Sequence, residues 1–135
     1  MVYYFDSSAL VKLYVPEPGR QALVLWLVDS KITRACSTLV HTEVERALRK
    51  NAQDESLQQS LNELTLTLKG FVLLPVSQAI LRTSGWLEPV SLRSLDAIHL
   101  ATALTLRPEL DGLVTYDNRL TEAARFHGIN VIQPS

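Results

Sequence analysis

The stretch VYYFDSSALVKLY, residues 2 to 14, decides how the rest of the chain is read. Val2 to Phe5 are β-branched or aromatic and stop abruptly at Asp6, which predicts a buried strand rather than a helix. From Ser8 the pattern changes. Ala9, Leu10, Leu13 and Tyr14 recur at helical spacing, so Asp6 is expected at the C-terminal end of a first strand, just before a helix. In an open α/β sheet that edge is where ligands bind.

Downstream, breakers and amphipathic stretches alternate. Val15, Pro16, Glu17, Pro18 and Gly19 end the first helix, and a second runs from about Arg20 to Val28 with Leu23, Trp26 and Leu27 inward. Lys31 to Ser37 (KITRACS) alternates loosely and reads as a second strand. Thr38 introduces a helix over Leu39 to Lys50, in which Val40, Val44, Ala47 and Leu48 make one stripe and Glu45, Arg46, Arg49 and Lys50 cover the opposite side. Glu43 breaks that rule. Three after Val40 and four before Ala47, it projects a carboxylate from the face that should be buried.

Gln53 to Lys69 forms another helix, with Leu57, Leu61, Leu64 and Leu68 at near-heptad spacing; the stripe either closes the domain or meets a partner chain. Gly70 ends it, Phe71 to Val76 (FVLLPV) predicts a third strand, and Ser77 caps a helix containing Ile80 and Leu81. Ser94 to Leu106 is apolar nearly all round, so it is a central helix packed closely by small residues, with Asp96 in its first turn. After a loop over Arg107 to Gly112, Leu113 to Tyr116 predicts a fourth strand running directly into Asp117. Arg119 to His127 is then a short helix with Leu120, Ala123 and Ala124 inward, Gly128 its C′ residue, and Ile129 to Ile132 the last strand. Strands alternating with helices imply the α/β class: a central parallel sheet of about four to five strands flanked by helices, doubly wound.

With 135 residues, 47% of them hydrophobic and 20% charged, the chain reads as one ordered domain with a real core. Its apolar runs are too short for a membrane helix and no basic region precedes the first of them, which places the protein in the cytoplasm. Cys36 is the one cysteine, so it packs as a small hydrophobe rather than joining a disulfide or a thiolate metal site. The net charge of −1 does not by itself favour nucleic acid. If four acids gather in one site, however, the remainder of the molecule is net positive and a basic rim around an acidic hole becomes available.

Each acid has an ordinary reading. Asp6 and Asp117 follow a strand and precede a helix, the position of an N-cap, and Asp96 in a first helical turn is favoured by the macrodipole. Glu43 is harder to dismiss, because a carboxylate in an apolar stripe needs a partner or takes up a proton. Together the four change meaning. If the first and fourth strands are neighbours at the topological switch point, Asp6 and Asp117 face one crevice, with Glu43 and Asp96 supplied from helices. Four like charges that close require protons or a divalent cation, and oxygen-only ligands suit Mg²⁺ or Mn²⁺. Such a cluster can activate water for phosphodiester hydrolysis.

The strand-to-Asp start FDSSAL, the inward acid in HTEVERAL, the run SLDAIHLATAL and the strand-end acid in VTYDNRL resemble the four blocks of PIN-domain ribonucleases. Their order and character are closest to the VapC toxins of type II toxin–antitoxin pairs, and the resemblance spans nearly all of residues 1–135, read as one PIN domain. It implies metal binding by Asp6, Glu43, Asp96 and Asp117, with Ser8 and Thr115 as supporting hydroxyls. It also implies Mg²⁺- or Mn²⁺-dependent endonucleolytic cleavage of RNA, a VapB-like antitoxin that blocks the site, and a homodimer.

His99 lies one turn after Asp96 and is either a satisfied core histidine or a neighbour of the site. Arg46, Arg49 and Lys50 are either a solvated helix face or contacts to RNA phosphates. Two rival functions stand beside the nuclease. One is an aspartyl phosphotransferase with Asp6 as nucleophile, although such enzymes usually carry a second Asp where this chain has Ser8. The other is a non-catalytic domain whose acidic pocket receives a basic segment of a partner.

Overall fold

The apolar run ahead of Asp6 is the central strand of a five-stranded parallel sheet in a computed structural model that describes residues 1–29, 31–51 and 54–135. The strands are β1 (Val2–Phe5), β2 (Thr33–Ser37), β3 (Phe71–Leu74), β4 (Leu110–Val114) and β5 (Val131–Ile132), in the order β3-β2-β1-β4-β5. The chain therefore winds outward from β1 in one direction, returns, and winds outward in the other. Between β1 and β4 lies the switch point expected from the sequence.

Among the described residues seven helices cover the sheet: α1 (Ser7–Lys12), α2 (Arg20–Asp29), α3 (Val40–Asn51), α4 (Asp54–Leu68), α5 (Gln78–Gly85), α6 (Ser94–Leu104) and α7 (Asn118–Phe126). Because strand side chains alternate, β1 feeds two cores. Tyr3 and Phe5 pack with Leu10, Leu23, Val40, Val44, Leu48, Leu64 and Leu68 on one face. Tyr4 packs with Leu100, Leu120, Ala123 and Ala124 on the other. A strand covered on both sides must be continuously apolar, which is why Val2 to Phe5 carries no polar residue. Cys36 is fully buried in the first core, and burial pushes its thiol up to about 12. No helix among the described residues is long and apolar enough to cross a membrane.

The leucine stripe of α4 turns inward: Leu64 and Leu68 are buried and Leu57 and Leu61 pack against the same core. The expected start of this helix at Gln53 lies outside the described residues. Several other boundaries differ from expectation for local reasons. β2 begins at Thr33 rather than Lys31. In α5, Ser77 does cap, accepting from the Ile80 N–H, and Ile80 is buried, but Leu81 is exposed. The end of α6 comes at Leu104 instead of Leu106, because the following N–H groups bond three residues back.

The fourth strand is displaced most. It runs Leu110–Val114, not Leu113 to Tyr116, because Asp111 and Gly112 enter the sheet instead of turning away from it. Asp111 accepts a hydrogen bond from the Val2 N–H at 2.7 Å, where the β1–β4 register shifts. Gly112 is favoured by tight space: a Cβ there would lie 3.1 Å from the Asn130 carbonyl, Ile132 and the Tyr3 ring, each of which would have to give by a few tenths of an ångström. Past Val114 the Tyr116 and Asp117 N–H groups turn to side-chain hydroxyls, so two residues separate the strand from Asp117. β5 is shortened because the Ile129 N–H bonds the Ala124 carbonyl, closing the end of α7 around Gly128 at φ +73.

Candidate active site

The switch point brings the ends of β1 and β4 side by side, and two hydroxyls stitch them together. Asp6 is the N-cap of α1: its Oδ1 accepts from the Ala9 N–H at 3.1 Å and from Ser8 Oγ at 2.7 Å, and its Oδ2 accepts from Thr115 Oγ1 at 2.7 Å. Ser8 Oγ accepts in turn from the Tyr116 N–H at 2.9 Å, and Thr115 Oγ1 from the Asp117 N–H at 3.1 Å. Asp6 is 2% exposed, and burial pushes its carboxyl up by more than the Ser8 and Thr115 hydrogen bonds pull it down.

Asp117 is also a cap. Its Oδ1 accepts from the Leu120 N–H at 2.9 Å at the start of α7, while Oδ2 lies 3.4 Å from Arg93 Nη2. Asp96, in the first turn of α6, has its Oδ2 3.4 Å from Arg93 Nε. The pair lies within Coulomb range, and that buried oxygen has no partner of hydrogen-bond geometry among the described residues. Burial, and next the charge of Asp117, push the Asp96 carboxyl above the usual range, with Arg93 opposing. A guanidinium thus serves two acids from the solvent edge, its side chain 60% exposed.

Glu43, the acid in the wrong stripe, has the partner its position demands. Its Oε1 lies 2.6 Å from His99 Nε2, and His99 Nδ1 lies 2.7 Å from the Tyr4 hydroxyl. His99 is 1% exposed, so it is both a satisfied core histidine and a neighbour of the site. Glu43, Arg93, Ser94, Leu95 and Asp96 line a cleft of about 350 Å³. Glu43 also opens onto a groove of about 590 Å³ bordered by Ser8, Lys12, Arg46, Lys50, Leu95 and Tyr116. Arg46 and Lys50 therefore flank the acids, whereas Arg49 is not part of the groove lining.

As placed, no three Asp, Glu, His or Cys side chains among the described residues converge to hold one ion. Asp96 and Asp117 engage Arg93, Glu43 engages His99, and Asp6 engages the hydroxyls. The donor set nevertheless suits a hard divalent cation: the four acids offer carboxylate oxygens, and one of these, Asp96 Oδ2, is buried with no hydrogen-bond partner among the described residues. Sequence reasoning missed Arg93, whose signal was its spacing of three from Asp96 on a helix start. It also missed Lys12, which is buried, donates to the Pro18 carbonyl at 2.9 Å, pairs with Glu17 at 3.2 Å and lies over the Tyr116 ring.

A doubly wound sheet with acids at its switch point defines a class, and comparison with known proteins places the chain in a family. Residues 3–126 match the PIN domain, and the chain belongs to the PIN-domain family. It is 43% identical over 132 residues to Ribonuclease VapC46 of Mycobacterium tuberculosis, the match spanning 98% of this chain and 97% of that protein. It is 34% identical over 134 residues to Ribonuclease VapC47 of the same species, spanning 97% and 96%. Among solved structures, a toxin–antitoxin complex from Klebsiella pneumoniae is similar with 26% identity, a TM-score of 0.70 and 98% of both chains covered.

Proposed function

We propose that this protein is an endoribonuclease, the toxin component of a VapBC-type pair, which cleaves RNA by metal-activated water at Asp6, Glu43, Asp96 and Asp117. Whole-length similarity to proteins named Ribonuclease VapC supports the activity, and likeness to a toxin–antitoxin complex supports a VapB-like partner. The observation that carries the metal-dependent reading is Asp96 Oδ2, a buried carboxylate oxygen with no hydrogen-bond donor, beside a second acid. Mg²⁺ or Mn²⁺ bound there would neutralise the acids, lower the pKa of water and offset charge developing on the phosphodiester.

The chain's own residues divide the remaining work. Ser8 and Thr115 orient Asp6 through one hydrogen bond to each oxygen; the Ala9 N–H also binds Oδ1, so Oδ2 is the oxygen that keeps a lone pair. Asp117 spends one oxygen on its helix and presents the other toward Arg93. Arg46 and Lys50 along the groove hold the RNA backbone by its phosphates. Homodimerisation belongs to the proposal through family resemblance. An aspartyl-phosphate route is disfavoured, since Asp6 is buried with both oxygens engaged.

The test is incubation of purified, partner-free protein with total bacterial RNA, with Mn²⁺, Mg²⁺ or a chelator, beside Asp96→Asn. Discrete metal-dependent cuts are expected from the parent chain. The variant should lose more than the roughly 10–100-fold typical of outer-shell changes. Cuts that persist in Asp96→Asn, or in chelator, would overturn the four-acid mechanism. A parent chain that binds partner but cuts nothing would support the non-catalytic reading.

A further inference from the structure

His99 sits between two groups of different kinds, a core phenol and a site carboxylate, and the geometry constrains what it does there. Tyr4 is fully buried on β1, and its hydroxyl is 2.7 Å from His99 Nδ1. Burial holds that phenol well above its ordinary value, so it keeps its proton. On the other side Glu43 Oε1 lies 2.6 Å from Nε2, the distance of a hydrogen bond in which the ring N–H donates and the carboxylate oxygen accepts. This holds whether the ring is neutral, with Nδ1 accepting from Tyr4, or charged.

Glu43 needs such a hold more than the other acids. Asp6 and Asp117 are fixed by backbone N–H groups at helix caps, and Asp96 stands in a first turn against Arg93. Glu43 has the longest side chain of the four and stands in the first turn of α3, so more rotatable bonds separate its carboxylate from the backbone. The hydrogen bond from His99 on α6 engages Oε1, and Oε2 has no partner among the described residues.

Resting on the ribonuclease reading above, we propose that His99, anchored by Tyr4, is a positioning residue: it fixes the Glu43 carboxylate so that Oε2 is presented to the bound cation. The expected signature is in cation affinity and turnover, not in RNA affinity. A histidine that only filled the core would change stability and leave Mn²⁺ binding intact.

The experiment measures Mn²⁺ binding to the RNA-free full chain by calorimetry, beside thermal unfolding and RNA affinity in chelator. His99→Leu keeps apolar volume and removes the donor; it should bind Mn²⁺ roughly 10–100-fold more weakly, with RNA affinity unchanged. His99→Gln restores an N–H near Nε2 and should recover part of the loss. Tyr4→Phe deletes only the anchor, covers the case in which His99→Leu fails to fold, and should weaken binding by a smaller factor.

A cycle with Glu43→Ala completes the test, because His99→Leu should add nothing once Glu43 is gone. Folded His99→Leu or Tyr4→Phe protein that binds Mn²⁺ like the parent would overturn the positioning role while leaving the ribonuclease reading in place. A parent chain that binds no Mn²⁺ would overturn both.

Discussion

Asp6 and Asp117 each resolve a choice that looked exclusive in the sequence. One oxygen of each caps a helix, while the other is held by Thr115 in Asp6 and lies 3.4 Å from Arg93 in Asp117, so capping does not use up either carboxylate. Asp96 makes a different compromise. Its carboxyl is raised by burial and by Asp117, so the folded chain holds that proton more tightly than the unfolded chain does. The resulting stability is present below the ordinary aspartate value and is lost as pH rises through the higher folded value. Asp96→Asn, which cannot ionise, should therefore unfold a few degrees higher than the metal-free parent at neutral pH, the gain vanishing below about pH 4. Paired melting curves at the two pH values check this, and an equal gain at both would remove the charge explanation. The same substitution should abolish cleavage, trading activity for stability. At this scale the acids were legible because carboxylates at strand ends and in an apolar stripe are conspicuous. Arg93 was not, since an arginine before a helix looks like any surface charge until the fold brings Asp117 beside it.

The elements show where pattern reading succeeds and where backbone geometry overrides it. Long helices and β1 fall close to where periodicity puts them, because burial of a stripe or a two-sided strand leaves a repeating signature. β4 does not, since Asp111 and Gly112 look like turn residues by type. Only the approach of Asn130, Ile132 and Tyr3 explains a glycine within a strand, and those neighbours are remote in sequence. The α4 stripe, readable as either core or interface, is core. Leu64→Ala should accordingly cost about 2–5 kcal/mol, while Leu66→Ala on the exposed side should stay within about 0.5 kcal/mol. Urea titrations compare the two, and near-equal small losses would mean that the stripe does not hold the domain closed.

For the molecule as a whole, net charge conceals an arrangement. Glu43 borders the groove that Arg46 and Lys50 line, so on the nuclease reading proposed above a chain of charge −1 would still hold a polyanion beside an acid. If each of these cations neutralises one phosphate, replacing both with Ala should flatten the salt dependence of RNA binding by about 0.7 in log–log slope for each cation removed. Binding measured across a salt series with a catalytically dead chain reads this directly. An unchanged slope would move the RNA path elsewhere. The sheet order has a further consequence, for biosynthesis. β1 leaves the ribosome well before its partner across the crevice, β4, which begins at Leu110, and Thr115 and Asp117 follow later still. A nascent chain shorter than this lacks the far wall of the crevice and two of the groups that line it. On the nuclease reading proposed above, a growing chain therefore stays unarmed until the stretch from Leu110 onward has emerged.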